Sequence, residues 1–265
     1  MARLQRPLSI PRAPWRWAAA GLACGVVLAT VVFAPARWLA SRVQASTQGQ
    51  VQLVEPRGTV WNGTAQLVLT GGAGSSDAVS LPGRVEWHLA PAWAGVNVRF
   101  AAPCCTPQPL QGRVTWGWNR TRVQVADGHS TWPAALLTGL GTPWNTMQIE
   151  GDLALQTRGL ALEWIAGRLS VDGQAELTAA DVASRLATVR PMGSYRVSLA
   201  GGAAPGLQLT TLDGPLQLRG SGQWVGGRLR FAGEASAAPD REAALGNLLN
   251  IIGRRQGARS IITIG

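Results

Sequence analysis

The chain has 265 residues, 46% of them hydrophobic, with a net charge of +10 and a basic complement that is entirely arginine. Residues 1–42 hold six arginines and no acid, and the remainder holds eighteen arginines against fourteen acids. The charge is therefore largely an N-terminal feature, and without a clustered basic run further on it does not point to nucleic acid.

Residues 1–14 are polar, arginine-bearing and punctuated by Pro7, Pro11 and Pro14. They are expected to form a short disordered cytoplasmic basic tail. Trp17 to Ala36 follows without a charged side chain, enough to cross ~30 Å of hydrocarbon. Arg3, Arg6, Arg12 and Arg16 precede it, which keeps that end in the cytoplasm. Trp15, Trp17 and Trp38 stand where indole rings favour the membrane–water boundary. We read 15–40 as a transmembrane anchor and 41–50 as a linker. A cleaved signal peptide is the rival, since Ala34-Pro35-Ala36 has a small-x-small spelling. The longer apolar run and the proline favour the anchor. Both readings send residues 51–265 across the inner membrane, as a periplasmic β-rich domain. Arg37 to Gln50 is expected to continue as helix for about two turns before the connector.

From Val51 the period changes to two. Val51–Val54, Thr64–Leu69, Gly83–Leu89, Gly112–Trp116, Leu153–Gln156, Arg168–Val171 and Leu216–Arg219 alternate polar and apolar residues, the half-buried strand pattern. Gly71-Gly72, Pro91, Asp127-Gly128, Asp172-Gly173, Gly201-Gly202, Asp213-Gly214 and Gly226-Gly227 mark turns. The fold class is mostly β: a single N-terminal transmembrane helix, then an antiparallel, hairpin-built, twisted or curved sheet with two or three short helices. Whether it forms an open groove, a sandwich or a barrel stays open. A Gly-x-Val-x-Trp echo recurs at Gly83–Trp87 and Gly112–Trp116. Gly58-Thr59-Val60-Trp61 is shifted by one, and Gly222-Gln223-Trp224 is a weaker copy. The echo reads as successive hairpins of one sheet.

Three helical pieces are expected within the β region. Ala134–Leu140 is short. Thr178-Ala179-Ala180-Asp181 has capping-box form and would start a helix carrying Val182 and Leu186 that ends before Pro191. Arg241–Ile252 would be capped by Asp240, with Glu242 in its first turn and Arg254-Arg255 beyond Gly253. Leu245, Leu248, Leu249 and Ile252 make one apolar stripe on it. The stripe either packs on the domain's own sheet or offers a surface, as do the edge strands. Ser260–Ile264 is a last strand.

The chemistry-bearing residues are sparse. His88 and His129 lack partners at ligand spacing, so no metal site is expected. No nucleophile elbow or phosphate loop is present, and Glu86, Asp152 and Glu163 read as solvated strand positions. No catalytic, cofactor-binding or metal residues are therefore named, and the protein is read as no enzyme and without cofactors. Asn62-Gly63-Thr64 and Asn119-Arg120-Thr121 match the glycosylation pattern but read better as turn asparagines. Cys24 is a small hydrophobe of the apolar run. Cys104 and Cys105 are either two thiols in a loop bounded by Pro103 and Pro107, the favoured reading, or one strained ring. Twelve tryptophans against three phenylalanines imply either cross-strand packing or an exposed face that grips a partner or lipid.

Several segments carry a resemblance. They are Gly58-Thr59-Val60-Trp61-Asn62-Gly63, Leu81–Trp87, Met192–Val197, Leu212–Trp224, Leu248-Leu249-Asn250-Ile251-Ile252-Gly253-Arg254-Arg255 and Ile262–Gly265. With the basic tail and anchor, the chain resembles the type II secretion system protein N family (GspN) over nearly its whole length. The resemblance implies a non-enzymatic, single-pass inner-membrane component of the general secretory pathway. Its N-terminus is cytoplasmic and its bulk periplasmic. It would aid export of folded periplasmic proteins through contacts with other inner-membrane platform or outer-membrane subunits. The alternative is a periplasmic β-groove carrier of lipid or another hydrophobic ligand.

Overall fold

The computed structural model describes residues 15–72, 75, 77–142, 144–166, 168–225 and 228–265. The expected tail of residues 1–14 and the expected turn at Gly226-Gly227 lie outside the described residues. The chain divides into two compact units, the second running Pro35–Gly265.

In the first unit, helix α1 spans Trp15–Val32. By length and composition it can cross a membrane. Its 18 residues rise ~27 Å, close to the hydrocarbon thickness.

The second unit opens with helix α2, Ala36–Ser46, an 11-residue segment longer than the two turns expected. The strands that follow are β1 Val51–Gly58, β2 Asn62–Thr70, β3 Ala78–Ser80, β4 Val85–Ala92 and β5 Gly95–Ala101. Next come β6 Leu110–Gly117, β7 Arg120–Val125 and β8 Gly128–Pro133. A 3-10 helix at Ala134–Leu140 and the short helix α3, Trp144–Met147, interrupt them. Then β9 Ile149–Ile165, β10 Arg168–Ser184, β11 Gly193–Ala200, β12 Gly206–Asp213, β13 Leu216–Val225 and β14 Arg228–Ala237 continue the sheet. Helix α4 is Glu242–Ile252, followed by β15 Arg254–Gln256 and β16 Arg259–Ile264.

All sixteen strands join one antiparallel sheet, in the order β1-β2-β4-β5-β6-β7-β9-β10-β11-β12-β13-β14-β16-β15, with β3 on β2 and β8 on β9. The β7 and β8 strands keep one register along the same edge of the 17-residue β9, from Arg120 opposite Ile165 to Pro133 opposite Asp152. Their interruption is bridged by the Thr157 hydroxyl donating to the Ala126 carbonyl at 3.0 Å and the Gly159 N–H donating to Asp127 at 2.6 Å. Among the described residues β1 and β15 do not pair with each other, so the sheet is open.

Period two puts apolar residues on one face across nearly the whole sheet. One row runs Val96, Val114, Val123, Leu162, Val171, each opposite the next on neighbouring strands. Another runs Leu155, Leu177, Val197, Leu209. The opposite face carries rows such as Gln156, Glu176, Ser198, Gln208, Ser221.

The main core forms where helices cover the apolar face. Leu245, Leu248 and Leu249 of α4 are buried with Leu153, Val182, Met192, Tyr195, Leu216 and Ala235. Ala134 and Met147 join the same cluster. The stripe of α4 therefore packs on its own sheet, with Ile252 half-buried against it. A second cluster gathers Leu81, Val85, Ala102, Cys105 and Leu136, and a third seats Ala36 of α2 on Ala65 and Trp87.

Four expectations are corrected. The helix at Thr178 is absent, because Thr178 and Ala179 pair with β9 on one side and β11 on the other. A bulge there sets Asp181 at φ 48°, its N–H bonded to the Ser194 hydroxyl, and turns Val182, Ala183 and Ser184 into the core. Secondly, Asp240 does not cap α4: Arg241 takes the N-cap position without a side-chain cap, and Asp240 accepts from Arg241 Nε at 3.0 Å. Thirdly, Cys104 and Cys105 are disulfide-bonded rather than two thiols. The Thr106 hydroxyl pins their turn to the Ala102 backbone at 2.8 and 3.0 Å. Fourthly, Glu163 is buried rather than solvated, held by Arg120.

Candidate interaction surface

Why tryptophan recurs after Gly-x-Val-x becomes clear from the pleat. Trp87 and Trp116 lie two residues on from Val85 and Val114, on the apolar face. Trp87 stays buried there. Its indole N–H donates to the Val60 carbonyl at 3.0 Å. The indole lies directly over Gly63, where an added Cβ would stand 2.3 Å from the ring. Gly58 turns the chain at φ +88°, with room only for hydrogen beside the Asn62 carbonyl. The run Gly58–Gly63 is thus a collar around one indole. Trp132 is half-buried, its indole N–H given to the Ser130 hydroxyl at 2.8 Å.

Other tryptophans take the opposite role. Trp93 at the β4–β5 turn is 98% exposed and Trp118 at the β6–β7 turn 102%. Trp116 and Trp164 are also exposed, with Ile165 beside Trp164 at the end of β9. These three hairpins stand side by side. The Trp116 N–H reaches the Ala94 carbonyl at 3.0 Å, and the Ala166 N–H reaches the Asn119 carbonyl at 3.3 Å. Asn119 takes φ 69°, a turn asparagine as expected, and Asn62 opens β2. Sequence reasoning could not sort packed from exposed tryptophans. The available signal was the flanking turn chemistry, Ala-Trp-Ala-Gly and Gly-Trp-Asn, which places the ring at an apex.

Pro35, the first residue of the sheet-bearing unit, bridges to Thr59 after β1. Thr59 and Trp61 lie at the same end of the sheet as the three hairpins, since the Leu89 N–H donates to the Trp61 carbonyl at 2.6 Å three residues before the β4 apex. Helix α4 and the main core occupy the other end.

Electrostatics of the rim centre on Glu163. Its hydrogen bond from Arg120 Nε holds the carboxyl below the usual range, against the opposing effect of burial, and the carboxylate pushes Arg120 further up. Arg122 adds a second favourable charge. On the polar face, Arg57, Asn62, Glu86, His88 and Arg99 line a shallow depression of about 540 Å³. His88 contacts the Asn62 side chain, and Arg113 donates to Asn97 at 2.8 Å. His129 is exposed on β8 and is not brought to His88, and Glu86 and Asp152 are exposed. Among the described residues no group of three or more His, Cys, Asp or Glu side chains could hold a metal ion.

The sheet edges are guarded. The β1 edge carries Pro56 and a bulge between Val54 and Arg57, with α2 packed alongside. The β15 edge is three exposed residues, Arg254, Arg255 and Gln256.

Comparison with known proteins gives one family. The family model described as Type II secretion system (T2SS), protein N, matches residues 49–262. No curated protein and no solved structure matches the chain.

Proposed function

Because the chain belongs to the type II secretion system protein N family, we propose that it serves that apparatus as a non-enzymatic, single-pass inner-membrane protein. Its N-terminus is cytoplasmic and residues 51–265 work in the periplasm. There they make contacts with platform or outer-membrane subunits that aid export of folded proteins. The supporting observation is the presence, among the described residues, of one helix of spanning length and an open sheet that exposes aromatic hairpin tips. Tethering to the membrane raises the effective concentration of weak contacts, so small interfaces suffice.

A second reading has its own support. The half-buried row Val96, Val114, Val123, Leu162 belongs to none of the three buried clusters among the described residues. An apolar row of that kind suits an acyl chain, the chemistry of a lipid carrier.

Deleting the gene and assaying secreted proteins in the medium, beside outer-membrane permeability to detergent, separates the two. Lost secretion with an intact barrier supports the secretion role. Normal secretion with a leaky barrier overturns it in favour of lipid handling.

A further inference from the structure

We infer that the tryptophan-bearing rim of the sheet docks on the lipid headgroup layer of the bilayer crossed by α1. The inference rests on the spanning role proposed for that helix, and goes beyond it by giving the sheet a fixed face toward the membrane.

Connectivity is the first support. Three peptide steps separate Val32, the last residue of α1, from Pro35, which is bridged to Thr59 at the rim. An extended chain covers at most ~10 Å in that distance. A connection this short lets the rim end of β1 reach the headgroup layer. The β4–β5 and β6–β7 apices follow across the sheet at strand spacings of ~4.8 Å, some ~10–30 Å sideways. The main core and α4 are at the far end.

Side-chain chemistry is the second. Trp93 and Trp118 are fully exposed at neighbouring apices, with Trp116 exposed on β6 and Trp164 and Ile165 exposed at the end of β9, beyond the β6–β7 apex. Trp38, in the first turn of α2, is exposed near the same end. An indole in water at an apex contributes nothing to the fold. At the boundary of acyl chains and headgroups it buries its ring and keeps its N–H hydrated.

Charge is the third. The three hairpins carry Arg120, Arg122 and Arg168 against Glu163, and α2 adds Arg37 and Arg42. With Glu163 neutralised by Arg120, the rim is cationic and complements anionic phospholipid. The far end is closer to neutral, its acids Glu150, Asp152, Asp181, Asp213, Asp240 and Glu242 being matched by Arg185, Arg190, Arg241, Arg254, Arg255 and Arg259. A protein partner would take the same tryptophans but would not require the tether and the charge to point the same way.

The test uses the full chain labelled with 5-fluorotryptophan in nanodiscs of phosphatidylethanolamine and phosphatidylglycerol. Fluorine resonances are assigned with Trp17→Phe, Trp93→Phe, Trp118→Phe and Trp144→Phe variants. A gadolinium chelate on the lipid headgroup and a soluble gadolinium chelate are compared. Docking predicts that the Trp93 and Trp118 lines are broadened by the lipid-borne ion several-fold more than Trp144, which is exposed at the far end. It also predicts their protection from the soluble ion. If Trp17 is broadened while Trp93 and Trp118 behave as Trp144 does, docking is overturned and the span stands. If Trp17 itself is untouched, the span falls and docking with it.

Discussion

The indole N–H of Trp87 is bonded to the carbonyl of Val60 across 27 residues of sequence. The bond ties the β1–β2 turn to the core face of β4. It gives Gly58-Thr59-Val60-Trp61-Asn62-Gly63 a structural reason: Gly63 clears the space that the ring occupies, and Gly58 makes the turn against the Asn62 carbonyl.

Substituting Gly63→Ala should be among the costliest single-atom changes in the sheet. The added Cβ meets the Trp87 ring at 2.3 Å and the Arg57 carbonyl at 2.7 Å, and backbone cannot yield. A loss of about 2–3 kcal/mol is expected from such overpacking. Denaturant unfolding of the full chain in detergent checks it, and an unchanged midpoint contradicts the collar.

Tyr195 is the sole tyrosine, and burial pushes its phenol up from the ordinary value. Its hydroxyl donates to the Leu216 carbonyl at 3.1 Å. The folded chain should therefore show no phenolate absorbance at 295 nm through the range around pH 10 where free tyrosine ionises. The sign follows: the proton is held more tightly folded than unfolded, so its contribution is full below pH ~10 and is lost as pH rises beyond. Replacement by phenylalanine should cost about 1 kcal/mol and abolish any phenolate signal.

Glu163 behaves oppositely. Arg120 holds its carboxyl low, so the stabilisation is present above the ordinary carboxylate value and fades as pH falls through the lowered one. Glu163→Gln should flatten that acid limb in a comparison of thermal midpoints from pH 7 to pH 3. An identical acid limb in both proteins would show that the pair is not coupled to folding.

Leu248 and Leu249 anchor α4 with essentially no exposure. Truncating either to alanine should cost about 2–5 kcal/mol. Leu245 and Ser260 extend the same lock, the Ser260 hydroxyl donating to the Leu249 carbonyl. Retained stability together with lost secretion would instead mark the stripe as a contact surface.

The strands were legible because alternation fixes both element and face: Val85, Trp87 and Leu89 point inward as their spacing requires. The α4 stripe was legible for the same reason at period 3.6. Thr178–Asp181 misled because a capping-box spelling is local, whereas ladders on both sides and a bulge at Asp181 are not. Glu163 misled because its partner lies 43 residues away. The division of tryptophans into packed and exposed depends on which turn ends where, a matter of register that composition does not carry.

Everything proposed for secretion requires residues 51–265 to lie across the membrane from the N-terminus. The most direct measurement fuses alkaline phosphatase, which is active only in the periplasm, after Gly265 and compares it with a cytosol-dependent fluorescent reporter at the same site. Phosphatase activity with a dark fluorescent fusion is the predicted result. An inactive phosphatase with a bright fluorescent fusion would contradict it.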